Sequence, residues 1–88
     1  MRSAIVTVIN PKGLHARAAA RFVKVASYYK SRVRVGQTKM VNGKSILSLM
    51  MLAAIKGTEL KIETEGIDED IAIETIIKLV SGGFGESK

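Results

Sequence analysis

Asn10-Pro11-Lys12-Gly13-Leu14-His15-Ala16-Arg17 is where the chain changes its hydrophobic period. Before it, residues 2–9 (Arg-Ser-Ala-Ile-Val-Thr-Val-Ile) are rich in β-branched side chains and read as a strand that Asn-Pro ends. After it, Ala19, Phe22, Val23 and Ala26 recur at helical spacing, an apolar stripe that fades at Ser27-Tyr28-Tyr29. Arg17, Arg21 and Lys24 share another face of the same helix. A strand feeding a helix through one short Pro/Gly turn is the unit from which the rest of the fold is read.

Working outward, Arg32-Val33-Arg34-Val35 alternates with its valines inward and ends at Gly36. A short strand over 38–41 would pair with it as a hairpin and stop at Asn42-Gly43, a strong turn signal. Ser45 reads as an N-cap for a helix over 46–55, closed by Gly57 after Lys56. In that helix Leu49, Leu52 and Ile55 are the core candidates. Residues 59–65 (Glu-Leu-Lys-Ile-Glu-Thr-Glu) alternate cleanly, a strand with one wet face. Asp68-Glu69-Asp70 puts acid at the start of the last helix, where the dipole favours it. The apolar face there is Ala72, Ile73, Ile76, Leu79 and Val80, ending at Gly82-Gly83. The order β-α-β-β-α-β-α predicts the α+β class: a two-layer open-faced β-sandwich, a four-stranded antiparallel sheet covered on one face by three helices. Residues 1–88 read as a single domain, with 85–88 a loose C-terminal tail.

Composition narrows the chemistry. There is no Cys and one His, which removes disulfides, thiol catalysis and a structural zinc site, and no cofactor is expected. The longest early apolar run, Ala4 to Ile9, is interrupted by Thr7 and is too short for a signal-peptide core or a membrane span, so a cytoplasmic protein without membrane insertion is expected. A net charge of +6 points to an anionic partner without saying which. An apolar content of 47% excludes disorder.

His15 is the residue with the most chemistry to offer. A lone His beside a turn is most often a surface or capping residue. Here, however, it opens a helix whose N-terminal N–H groups favour anions, with Arg17 supplying a permanent cation. Free imidazole titrates at about 6.5 and is nucleophilic when neutral, so it needs no general base. None is visible beside it in the sequence. Phosphoryl transfer passes through a loose transition state and is accelerated by positioning and positive electrostatics. The group predicted is a transient phosphoryl carrier.

Asn-Pro-Lys-Gly-Leu-His-Ala-Arg-Ala-Ala-Ala closely resembles the active-site stretch of the HPr family, the histidine-containing phosphocarriers of the bacterial phosphoenolpyruvate-dependent phosphotransferase system. The resemblance continues through Val41-Asn42-Gly43-Lys44-Ser45-Ile46-Leu47, Leu52-Ala53-Ala54, Lys56-Gly57, Gly66-Ile67-Asp68-Glu69 and Gly82-Gly83-Phe84-Gly85. It implies that His15 is phosphorylated on Nδ1 with Arg17 as electrostatic partner, accepting from enzyme I and donating to IIA-type acceptors. It also implies that Ser45 matches the serine that a regulatory kinase (and its phosphorylase) act on in part of the family. Most members carry Pro where this chain has Ala18. Ala keeps helical geometry, and this form resembles the nitrogen-linked members, which bears on sugar uptake rather than on the carrier chemistry.

The helix beginning at Ile46 is apolar almost all round. One reading buries it throughout. The other leaves Ile46, Leu47 and Met50 as a docking patch rimmed by Lys12, Arg17, Arg21, Lys24 and Lys44, as the family resemblance implies, with Met suiting several partners in turn. Two motifs fail: Gly43-Lys44-Ser45 lacks the leading P-loop glycine, since Thr38 stands there, and Gly82-Gly83-Phe84-Gly85 ends a helix instead of joining two as a KH loop does. The runner-up, a basic nucleic-acid-binding domain, lacks aromatics on its strands to stack bases, so no nucleic-acid partner is expected.

Overall fold

The computed structural model describes residues 1–86. Four strands, β1 (Arg2–Thr7), β2 (Arg32–Gly36), β3 (Met40–Asn42) and β4 (Glu59–Glu65), form one antiparallel sheet in the order β1-β4-β2-β3. Helices α1 (Ala16–Tyr28), α2 (Ile46–Met51) and α3 (Glu69–Ser81) complete the expected order, followed by a short 3₁₀ turn at Gly83–Gly85.

Alternation decides which face each strand buries. Ala4 opposes Ile62 and Val6 opposes Leu60 across β1 and β4, while Val33 opposes Thr64 and Val35 opposes Ile62 across β2 and β4. These residues face the helices, where they meet Phe22, Ala26, Leu49, Ile76, Val80 and Phe84 in one buried cluster. Each large apolar side chain closed off in this way contributes about 1.5–3 kcal/mol relative to exposure. The other face is a charge ladder: Arg34 lies 3.0 Å from Glu63, Lys61 3.5 Å from the same carboxylate, and Arg32 3.9 Å from Glu65. No aromatic side chain stands on either face of the sheet. The start of α3 is tied to the α1–β2 turn by Asp68, whose carboxylate accepts from the backbone N–H groups of Lys30 and Ser31, both at 2.9 Å, and from the Ser31 hydroxyl. Those bonds, the Ser31 hydroxyl first, hold the Asp68 carboxyl below its usual range.

Several boundaries differ from the sequence reading. The first strand leaves the sheet after Thr7 rather than at residue 9, although Val8 still exchanges bonds with Thr58 and Gly57 at 2.9 and 2.7 Å. The short strand is Met40–Asn42, because residues 37–39 are taken up by the hairpin turn. The second helix ends at Met51, four residues early, with Ala53 in the left-handed region at φ 51°. The left-handed turn at Ala53 redirects the chain, and the Ala54 carbonyl accepts from Leu14 N–H at 2.9 Å, which holds this segment against the 10–15 loop. Gly57, at φ +93°, therefore serves a separate turn to β4 and is not a helix cap. Ile55, expected in the core, is 71% exposed beyond the break, while Leu49 is fully buried and Leu52 half-buried. Gly85 and Glu86, expected in a loose tail, are held against the body: Phe84 is 1% exposed, and Glu86 is bonded to Asn10. Residues 87 and 88 of that tail lie outside the described residues.

Candidate functional site

The loop over residues 10–15 is shaped from within. Gly13 adopts φ +65°, its N–H donates to Asn10 C=O at 3.0 Å, and the buried Asn10 amide donates to Gly13 C=O at 2.8 Å. A side chain at Gly13 would collide with the Ala54 carbonyl oxygen and lie 2.9 Å from Ile55 Cα, so only glycine fits between the two segments. This turn brings His15 to the N-cap of α1 in an extended conformation, φ −76° and ψ 179°. The His15 carbonyl accepts the first helical bond, from Ala19 at 2.8 Å, while its imidazole makes no capping bond and is free for other work. The N–H groups of Ala16, Arg17 and Ala18, in the first turn, have no intrahelical acceptor and point their partial positive charge outward.

An open cleft of ≈ 480 Å³ lies over this helix start, lined by Pro11, Lys12, His15, Arg17, Arg21, Gly85 and Glu86. Three fixed cations thus face one carboxylate. Arg17 makes no ion pair among the described residues, whereas Arg21 is anchored by donating to the Phe84 carbonyl. Glu86 is the residue that the sequence reading missed. Its Oε2 lies 2.5 Å from His15 Nε2, and its Oε1 accepts from Asn10 Nδ2 at 2.8 Å. The Asn10 amide, followed by His15, holds the Glu86 carboxyl below the ordinary carboxylate range. The one signal in the sequence was Phe84, an aromatic in a Gly-rich terminal segment that gains most by burial.

The other expected site residues do not line this cleft. Lys24 lines a separate depression with Tyr28, Tyr29 and Thr75. Lys44 is half-buried, its ammonium donating to the Tyr29 carbonyl at 2.8 Å. Ser45 caps α2, its hydroxyl accepting from Ser48 N–H at 3.2 Å. Ile46, Leu47 and Met50 are 42%, 70% and 42% exposed, so much of α2's apolar surface faces outward. No cluster of His, Cys, Asp and Glu able to hold a metal ion occurs among the described residues.

Residues 2–82 match the sequence model of the PTS HPr component phosphorylation site. The chain belongs to the HPr family. It is 51% identical over 85 residues to the phosphocarrier protein HPr of Pseudomonas aeruginosa, covering 94% of both chains. It is 49% identical over 84 residues to that of Neisseria meningitidis, again covering 94% of both. Among solved structures, an HPr from Thermoanaerobacter tengcongensis matches with a TM-score of 0.95 at 39% identity over the whole of both chains. The HPr of Bacillus anthracis matches with a TM-score of 0.85 at 36% identity, over 90% of this chain and 95% of that one. The HPr fold, an open-faced antiparallel sheet under three helices, is the one described above, and the chain is an HPr-type phosphocarrier of the phosphotransferase system. None of the helices among its described residues is long and apolar enough to cross a membrane.

Proposed function

We propose that residues 1–88 act as one cytoplasmic HPr-like domain in which His15 accepts a phosphoryl group from enzyme I and passes it to a IIA-type acceptor. In the first step the donor's bond to phosphorus breaks as the Nδ1 lone pair forms a new N–P bond. In the second, that bond breaks and its electron pair returns to Nδ1. The protein is a covalent intermediate in a relay and does not turn over alone. The observation that carries this reading is the position of His15 at an unpaired helix N-terminus, inside a cleft bordered by Lys12, Arg17 and Arg21. Arg17 and the α1 N–H groups would neutralise the equatorial oxygens, the main requirement of a loose transition state.

Docking would use the exposed Ile46, Leu47 and Met50 with the flanking cations, Lys24 and Lys44 included. Ser45 is the candidate for a regulatory serine kinase and phosphorylase. A phosphate there would retain the helix N-terminal placement while adding negative charge to the docking face. The relay would serve sugar uptake or nitrogen-linked regulation, and the resemblance of the Ala18 form to the nitrogen-linked members favours the second.

The test is the intact mass after incubation with phosphoenolpyruvate and enzyme I, comparing the wild type with His15→Ala. One acid-labile phosphoryl group on the wild type and none on the variant is the expected result. An unmodified wild type beside a demonstrably active enzyme I would overturn the proposal.

A further inference from the structure

Glu86 sits where no residue of the phosphoryl-transfer machinery derived so far requires one. Its side chain is 14% exposed, it closes one wall of the His15 cleft, and each of its two oxygens has a defined partner. Asn10, 2% exposed, donates from the same Nδ2 to Gly13 C=O and to Glu86 Oε1, so the carboxylate is oriented by a group that is itself locked in the turn. A carboxylate accepts and does not donate, so at 2.5 Å the Nε2 atom of His15 must carry the proton. Which imidazole nitrogen is protonated is set by the hydrogen bond that the other atom makes. The lone pair is left on Nδ1, and no hydrogen bond to Nδ1 occurs among the described residues.

We propose that Glu86 is a positioning residue for phosphoryl transfer: held by Asn10, it fixes the His15 ring as the Nε2–H tautomer and stabilises the positive charge that the ring acquires. This rests on the phosphocarrier reading above. When Nδ1 forms its bond to phosphorus, the ring takes on imidazolium character. The Nε2 proton stays on Nε2, and Glu86 faces it as the counter-charge. On the way out the same proton keeps the ring a good leaving group, and the N–P electron pair returns to Nδ1. No proton enters or leaves the solvent at either step. Lys12, Arg17 and Arg21 are the other charged groups on this cleft. Glu86 is the one carboxylate among them and faces Nε2, while Arg21, tied to the Phe84 carbonyl, also helps hold that carboxylate charged. The depressed titration of Glu86 keeps it charged well below neutral pH.

The experiment uses the full chain as wild type, Glu86→Ala and Glu86→Gln, with amide spectra to verify that each is folded. Imidazole ¹⁵N–¹H spectra of the unphosphorylated proteins are read first. The expected result is a slowly exchanging, downfield Nε2–H in the wild type, lost in Glu86→Ala and restored in weaker form by Glu86→Gln, whose carbonyl still accepts. Initial rates of phosphoryl uptake from enzyme I are then compared. Both variants should fall about two- to fivefold, the size of one partly exposed carboxylate–cation pair, since Gln restores the hydrogen bond and not the charge. A wild-type Nε2–H that exchanges as fast in the wild type as in Glu86→Ala would overturn the proposal. So would its loss with no change in rate. Should the wild type take up no phosphoryl group at all, the carrier reading falls while the spectra still decide the pairing.

Discussion

Gly13→Ala isolates what the active-loop geometry demands of the sequence. Gly13 holds φ +65°, and left-handed backbone costs an L-residue about 1–2 kcal/mol. The new methyl would also collide with the Ala54 carbonyl oxygen, a backbone atom that no rotamer change can move. Relief requires the 52–55 segment to shift outward, which breaks the 2.9 Å bond from Leu14 N–H to that carbonyl. A lost hydrogen bond of this kind costs about 0.5–1.5 kcal/mol. The expected destabilisation is about 2–3 kcal/mol, which for a domain of this size lowers Tm by roughly 10–20 °C. Calorimetry or circular-dichroism melts measure it directly. Gly57→Ala is the control: it is also left-handed, at φ +93°, yet a methyl there meets nothing within 4 Å, so it carries the backbone term alone. Gly13→Ala should cost more than Gly57→Ala, and should also slow phosphoryl uptake, because His15 lies two residues along. A Tm loss under about 4 °C, or one no larger than the control's, refutes the argument that two crossing backbones select glycine here.

Ser45→Ala should lose about 1 kcal/mol through the missing α2 cap, while Ser45→Asp, which still caps, should melt near the wild type; chemical denaturation of the three proteins distinguishes cap from surface. Leu47→Ala removes a side chain that is 70% exposed, so its stability should lie within about 0.5 kcal/mol of the wild type, while the half-saturating concentration for uptake from enzyme I rises. For Asp68, the folded carboxyl titrates below its unfolded value, so its contribution is fully present above the unfolded pKa of about 4 and fades as pH falls through the folded one. Asp68→Asn should therefore be less stable than the wild type at pH 7, with the difference closing in acid; urea midpoints from pH 7 to 3 would measure the convergence, and parallel curves would refute the sign.

The elements were legible where one period dominates. Glu59–Glu65 alternates and is a strand over that whole range, and the stripe of Ala19, Phe22 and Ala26 is buried as its spacing requires. The end of α2 was not legible, because its apolar run continues past Met51 while the backbone turns left-handed at Ala53 and packs the Ala54 carbonyl on Leu14, forty residues away. The position of β4 between β1 and β2 was equally hidden, since alternation says which face is buried and not which strand is the neighbour. At the site, His15, Lys12, Arg17 and Arg21 could be read from spacing along one turn and one helix. Glu86 could not, because its position depends on Phe84 being driven into the core, which local polarity conceals.

The place of β4 also has a kinetic side. It is the last of the four strands to leave the ribosome, yet it is the one to which both β1 and β2 bond. Until it emerges, β1 has no partner, and β2 can pair only with the three residues of β3. The pairing of Arg2–Thr7 with Glu59–Glu65 closes a long loop, so folding waits on a contact of high sequence separation rather than on helix growth. A nascent chain stalled before residue 59 would present the edge of β1, with Ile5 on it, to any neighbouring chain. One late strand thus joins β1 to the β2–β3 hairpin in a single cooperative step, leaving only the outer edges of β1 and β3 unpaired.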